Sequence, residues 1–258
     1  MTVVGVLQAR MSSSRLPRKV LAPIVGKPMI SLQLERLQRA EQLDLLILAT
    51  SDHEKDAPLA SLCAKLDMPC FRGSVNDVLG RIYEAVRDKS PSHVVRLTGD
   101  CPLAAPEVID AVVSLHIKDA NAYTSNVHPP TWPDGLDVEV IRFDALEAAW
   151  REAEEPFERE HVTPFIVDRP ERFKASCLRN DTDLSSLRWT VDEFEDLEVV
   201  RQIYEHLYEE DPTFDTAAIL DLLTTHPDIA KGNSRHLRNS GSQRLHHFKS
   251  DNSTKKRP

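Results

Sequence analysis

VVGVLQARMSSSRLPRK, residues 3–19, changes character part-way along. The first six residues form a short apolar run, the pattern of a β-strand. The rest gathers Arg10, Arg15, Arg18 and Lys19 within ten residues and sets Ser12, Ser13 and Ser14 among them. A strand that empties into a cationic, hydroxyl-rich loop is the opening unit of a layered α/β domain if helices and strands continue to alternate.

They do. LDLLILAT (43–50), HVVRLT (93–98) and NAYTSN (121–126) read as further strands, and GLDVEVI (135–141) alternates like another. Between the first strands lie amphipathic segments: PMISLQLERLQRA, with Ile30, Leu34 and Leu37 at i, i+4, i+7, then EKDAPLASLCAKLD and NDVLGRIYEAVRDK. DLEVVRQIYEHLYEE and TAAILDLLTTH read as closing helices. Strand–helix alternation predicts a mostly parallel sheet with right-handed crossovers, covered on both faces. Ligands of such sheets bind beyond the carboxyl ends of the strands. The loop after the first strand and TGDCP (98–102) therefore share one rim.

Bulk properties agree with a water-soluble globular chain. At 258 residues, 41% hydrophobic and 28% charged, it can bury a sizeable core. No apolar run reaches the roughly 18 residues needed to cross a bilayer, and the start lacks a secretory pattern, so the expected location is cytoplasmic. Cys63, Cys70, Cys101 and Cys177 form no C-x-x-C pair and read as reduced thiols. The charge is uneven. Lys231 to Pro258 holds eight Lys/Arg against one Asp, a net +7 that leaves −16 on the preceding 230 residues. That basic end is polar and aperiodic, so a domain over 1–228 and a disordered tail over 229–258 are expected. The acidity of the body argues against a large nucleic-acid footprint.

Phosphate is the natural ligand of the first loop, since guanidinium forks and hydroxyls match phosphate oxygens. Neither G-x-x-x-x-G-K-[ST] nor G-x-G-x-x-G occurs, so a side-chain clamp of Arg10, Ser12, Ser13, Ser14, Arg15 and Lys19 would take the place of a backbone cradle. The plain alternative is a solvated basic loop. Asp100, directly after an apolar strand, can hold a divalent cation with help from phosphate oxygens, or serve as a turn residue. Asp192 in RWTVDEFEDL can be the second carboxylate, or it can N-cap the following helix with Glu195 as its box partner. Glu158 and His161 in EREH have the i, i+3 spacing of half a di-iron motif. No second copy exists, and His161 is placed beside an acceptor or on a solvated face.

LQARMSSSRLPRKVLAPIVGKPMI (7–30) closely resembles the signature of cytidylyltransferases that make CMP-activated acidic sugars, the CMP-Kdo and CMP-acylneuraminate synthetases; it matches the CMP-Kdo pattern of A-R, a Ser/Thr pair, R-L-P-x-K, then G-K-P-M-I. FRGSVNDVLGRIYEA (71–85), VRLTGDCPL (95–103), HPPTWPDG (128–135), PDGLDVEV (133–140) and RWTVDEFEDL (188–197) resemble the spore-coat-polysaccharide branch of that superfamily. The resemblance spans about residues 3 to 225. It implies a Rossmann-like, GT-A-type three-layer sandwich that transfers CMP from CTP to a small acidic acceptor, with Mg²⁺ and as a homodimer.

Residue by residue, it implies that Arg10, Ser13, Ser14, Arg15 and Lys19 grip the triphosphate, with Gln8, Ala9, Thr98 and Gly99 against the nucleotide. Arg72, Gly73, Ser74 and Arg81 would lie near the nucleoside, and Asp100 and Asp192 would bind Mg²⁺. Arg15, Lys19 and Asp100 would be catalytic, and Asp137 and Glu139 would face the acceptor. The Kdo enzymes carry Asp-Glu-Pro where this chain has Asp100-Cys101-Pro102, which leaves the acceptor open. Three alternatives remain at this point: a glycosyltransferase using a nucleotide-sugar, a transferase using another nucleotide and a sugar phosphate, or a binding module working through its basic tail.

Overall fold

The computed structural model describes residues 1–238. From the N-terminus, β1 (Val3–Gln8) leads through the basic loop to a hairpin of β2 (Pro23–Ile24) and β3 (Lys27–Pro28), then α1 (Met29–Leu37). Next come β4 (Leu45–Ser51), α2 (Ala57–Lys65), β5 (Cys70–Gly73), α3 (Val78–Val86), β6 (His93–Thr98) and α4 (Pro106–Lys118). The second half holds β7 (Tyr123–Ser125), β8 (Glu139–Arg142), α5 (Phe143–Glu152), α6 (Pro156–His161), α7 (Pro164–Val167) and β9 (Ala175–Cys177). Three helices close the described chain: α8 (Phe194–Leu207), α9 (Thr216–Thr225) and α10 (Pro227–Lys231).

Among the described residues, seven strands form one sheet in the order β5-β4-β1-β6-β8-β7-β9. Only β8 runs against the others, pairing antiparallel with both β6 and β7. Its sharp reversal, which period-2 alternation alone cannot signal, places Glu139 directly opposite Arg96. The central strands are apolar on both sides because both faces are covered. Along β1, Val3 and Leu7 enter one core layer while Val4 and Val6 enter the other. Leu46 and Leu48 of β4 alternate in the same way with Ile47 and Ala49. The first layer contains α1, α4, α8 and α9, and the second α3, α5 and α7, giving three layers. Among the described residues, no helix is long and apolar enough to cross a membrane.

Several sequence expectations shift. A strand the sequence reading did not pick out, Cys70–Gly73, pairs with β4 at the edge of the sheet. Strand 121–126 shortens to Tyr123–Ser125. The boundary expected at 228 falls inside α10, and Ile229 and Asn233 beyond it are buried. Asn233 donates to Arg188 O and Asp196 Oδ1, both at 2.9 Å, so this stretch fills a polar niche its composition did not advertise. The rest of the expected tail, 239–258, lies outside the described residues.

One polar group sits deep in the sheet–helix layer. His116 of α4 is fully buried, with Nδ1 3.0 Å from Thr124 Oγ1 and Nε2 3.0 Å from His93 Nδ1. Burial, and then the proximity of His93, lowers its pKa to about 4. A histidine held neutral in the folded state contributes stability that is present above its unfolded pKa of about 6.5 and is lost as pH falls toward the folded value. From pH 7 to pH 5 this amounts to about 2 kcal/mol, or roughly 4–8 °C of Tm. His116→Asn is expected to remove that share of the acid sensitivity, measured as a smaller Tm difference between pH 7 and pH 5 by calorimetry.

Candidate active site

The chain steps from β1 outward to β4 and β5, then returns to place β6 on the other flank of β1. Strand order reverses there, and the loops after β1 and β6 flank the crevice. They are stitched together: Gly99 N donates to Gln8 O at 2.8 Å. A Cβ on Gly99 would come within 2.7 Å of Ala9 Cβ, so only glycine allows the two loops to meet. The basic loop is tied from behind by Asp56, whose Oδ1 accepts from Met11 N at 2.6 Å while its other oxygen accepts from the Ser51 hydroxyl. Asp56 is buried at the head of α2 and drew no notice in the sequence, because its partners come from two distant segments.

Gln8, Ala9, Arg10, Ser13, Ser14, Arg15, Lys19, Arg81, Thr98, Gly99, Asp100, His161 and Asp192 line one cleft of about 290 Å³. Arg96 and Glu160 line it too, and sequence reasoning missed both. The available signal for Arg96 was a cation in the middle of the apolar strand HVVRLT. Five Arg/Lys against three carboxylates make the cleft cationic on a markedly acidic body.

Lys19 is its pivot. The ammonium donates to Val191 O at 2.7 Å, to Asp192 Oδ1 at 2.8 Å and to Asp100 Oδ2 at 3.4 Å. Burial works against its charge, but Asp100 and Asp192 outweigh that cost and raise its pKa. Asp100 moves the opposite way: burial favours its neutral form, yet Lys19 and the Thr98 hydroxyl hold it below the ordinary carboxylate range. Arg15 reaches the same cluster, with Nη2 2.8 Å from Asp192 Oδ2 and Nη1 3.4 Å from Glu193 Oε1.

Asp192 does not cap α8. The N-cap is Glu193, boxed with Asp196 rather than Glu195, one position along from the alternative the sequence allowed. Asp196 also accepts from the Asp192 and Glu193 amides, each at 2.9 Å, and turns the Asp192 carboxylate toward Lys19. Behind it, Arg188 grips Asp196 with two bonds of 2.9 and 2.8 Å and Asp134 with one of 2.8 Å. Burial opposes ionisation of Asp196, and Arg188 with the two amides reverses that, so its pKa falls.

Other expected contacts are not met in this structure. Arg72 donates to the Ser51, Asp52 and His53 carbonyls at 3.0–3.1 Å, closing the loop after β4, and Gly73 lies in the edge strand. Neither they nor Ser74 line the cleft. Ser74 acts at one remove, its carbonyl accepting from Arg81 Nη1 at 2.7 Å. Arg81 is 3% exposed, and its buried Nε has no hydrogen-bond partner among the described residues. Burial and the nearby Arg10 charge lower its pKa. Asp137 pairs with Arg238 and lies outside the lining. Glu139 is also outside it, occupied by Arg96, Tyr123 and Thr163. In EREH, Arg159 pairs with Asp77 at the start of α3 and Glu158 with Arg169, leaving Glu160 and His161 at the cleft.

Residues 4–232 match the family model described as cytidylyltransferase. The chain is 37% identical over 236 residues to an uncharacterised protein of Methanocaldococcus jannaschii, covering 91% of this chain and 95% of that one. It is 31% identical over 241 residues to the spore coat polysaccharide biosynthesis protein SpsF of Bacillus subtilis, covering 88% and 96%. Its fold is similar to a solved cytidylyltransferase from Leptospira borgpetersenii, with TM-score 0.85, 29% identity and coverage of 89% and 97%.

The latch behind Asp192 can be tested by stability. Arg188→Met leaves Asp134 and Asp196 without their shared cation, an expected loss of about 3–5 kcal/mol, or roughly 6–20 °C in Tm. Arg15→Ala, at a half-open site, is expected to change Tm by no more than about 2 °C in the same scan.

Proposed function

Because this chain belongs to the cytidylyltransferase family, we propose that it transfers the cytidylyl group of CTP to a hydroxyl of a small acidic sugar, releasing pyrophosphate, in the synthesis of a surface polysaccharide or glycoconjugate. The observation that carries this reading is the convergence of Asp100 and Asp192 on Lys19, at the switch point, beside a loop of arginines and serines and the unpartnered Nε of Arg81. A triphosphate brings several negative charges, and this is where the acidic chain concentrates compensating cations.

In the reaction an acceptor oxygen attacks the α-phosphorus and its proton leaves to solvent. The bond from the α-phosphorus to the bridging oxygen breaks, and pyrophosphate departs with that electron pair. Arg10, Arg15 and Lys19 neutralise charge growing on the leaving group, and the hydroxyls of Ser13 and Ser14 complete the grip. Arg81 fixes the nucleotide from the α3 side, and the tight Gln8–Gly99 junction fixes its orientation. Two carboxylates that already share one cation suit a small divalent ion such as Mg²⁺, which needs only one or two carboxylates when phosphate oxygens and waters finish its shell. When bound, that ion supplies positive charge to the α-phosphate.

The first test is a thermal-shift panel with Mg²⁺ and CTP, UTP, GTP, ATP or UDP. A nucleotide at 100 times its Kd stabilises by about 2.7 kcal/mol, roughly 5–10 °C for a domain of this size. CTP is expected to lead, and a shift from UDP with none from CTP would sink the reading in favour of a nucleotide-sugar transferase. In pyrophosphate-release assays Asp100→Ala is expected to lower kcat by about 10²–10³-fold, and a variant keeping a tenth of the rate would remove Asp100 from the mechanism.

A further inference from the structure

Arg96 lines the cleft from a strand of the sheet rather than from the basic loop. It stands on β6 two residues before Thr98 on the same face of the strand, between β1 and β8. Its place is fixed from two sides. Nε donates to Gln8 Oε1 at 3.0 Å, a diagonal neighbour across β1, and Nη1 is ion-paired with Glu139, its direct cross-strand partner on β8. Glu139 in turn accepts from Tyr123 Oη at 2.7 Å and Thr163 Oγ1 at 2.8 Å. Burial would favour its neutral form, but Arg96 and these hydroxyls keep it ionised, below its ordinary value. Among the described residues, Nη2 of Arg96 bonds to none, and the residue lines the cleft together with His161 and Glu160 of α6.

Building this arrangement is costly, since two charges and a phenol are withdrawn from water to hold one guanidinium still. A fixed guanidinium with Nη2 uncommitted offers a charge-assisted donor to an oxygen of an anion. We propose that Arg96 is the specificity-determining residue for the acceptor, receiving its anionic group on Nη2, and that Glu139 is the positioning residue that aims it. Glu139 thus faces Arg96 rather than the acceptor. The inference rests on the cytidylyl-transfer reading and deepens it: the acceptor must carry an anion close to the hydroxyl that is cytidylylated, either a carboxylate, as in a sugar acid, or a phosphate.

The test is a steady-state pyrophosphate-release assay with CTP and Mg²⁺ on the full-length wild type, Arg96→Met, Arg96→Lys and Glu139→Gln. Three acceptor groups are compared: 3-deoxy-octulosonate and other 2-keto sugar acids, hexose 1-phosphates, and uncharged hexoses. The wild type is expected to use an anionic group, and which one it uses separates carboxylate from phosphate. For that acceptor, Arg96→Met should raise KM about 10- to 100-fold, the worth of a charge-assisted hydrogen bond, with KM for CTP unchanged within about twofold. Arg96→Lys should recover part of the loss, and Glu139→Gln should raise acceptor KM while thermal shift by CTP persists. An unchanged acceptor KM in Arg96→Met, an equal rise for CTP, or use of uncharged acceptors alone overturns the proposal. So does a wild type that CTP stabilises but that uses no acceptor in the panel. A wild type that CTP does not stabilise overturns the cytidylyl-transfer reading itself, and this proposal with it.

Discussion

A buried ammonium holds the rim of this protein together. Lys19 draws the loop after β1, the loop after β6 and the turn before α8 to one point, through Asp100, Asp192 and the Val191 carbonyl. Two carboxylates this close repel each other unless a cation lies with them, and a lysine this buried stays charged only beside carboxylates. Each group makes the other tenable. The same mutual need makes the place suitable for a divalent cation and a polyphosphate, which bring the same two signs of charge in a different arrangement.

Around that point the structure repeats one device: a guanidinium from one element held by carboxylates from others. Arg188 joins Asp134 to Asp196 and so fixes the turn that carries Asp192. Arg96 joins β6 to β8 through Glu139. Arg159 ties α6 to the start of α3 through Asp77. Arginine suits these roles because its planar fork bonds in several directions while its charge persists. The result is a set of rigid supports behind a cleft whose front edge, Arg10 and the serines, stays open to solvent.

The parallel half of the sheet and the meeting of the two loops on one rim were legible in the sequence, since both depend on local signals. Apolar runs alternating with amphipathic segments give the β1–α1–β4–α2 order, and two loops that follow parallel strands must emerge on one rim. The role of Asp192 was less legible. The choice between cap and site ligand turned on a shift of one residue, to Glu193 and Asp196, which spacing alone leaves open. That Arg72 lies off the cleft was not legible, because the groups that occupy it are carbonyls of the loop after β4, with no sequence signature.

By itself, the sequence determined the layered class, the cationic loop, the two aspartates and, through the motif order, the family. Those are properties of residue type and short spacing, which survive without knowledge of the fold. Only the tertiary structure decided that β8 runs backward and sets Glu139 against Arg96, that Asp137 is covered by Arg238, and that Asn233 closes the niche behind Asp196. Each joins residues separated by tens of positions, where a charge finds its partner through strand register and helix packing rather than through proximity along the chain.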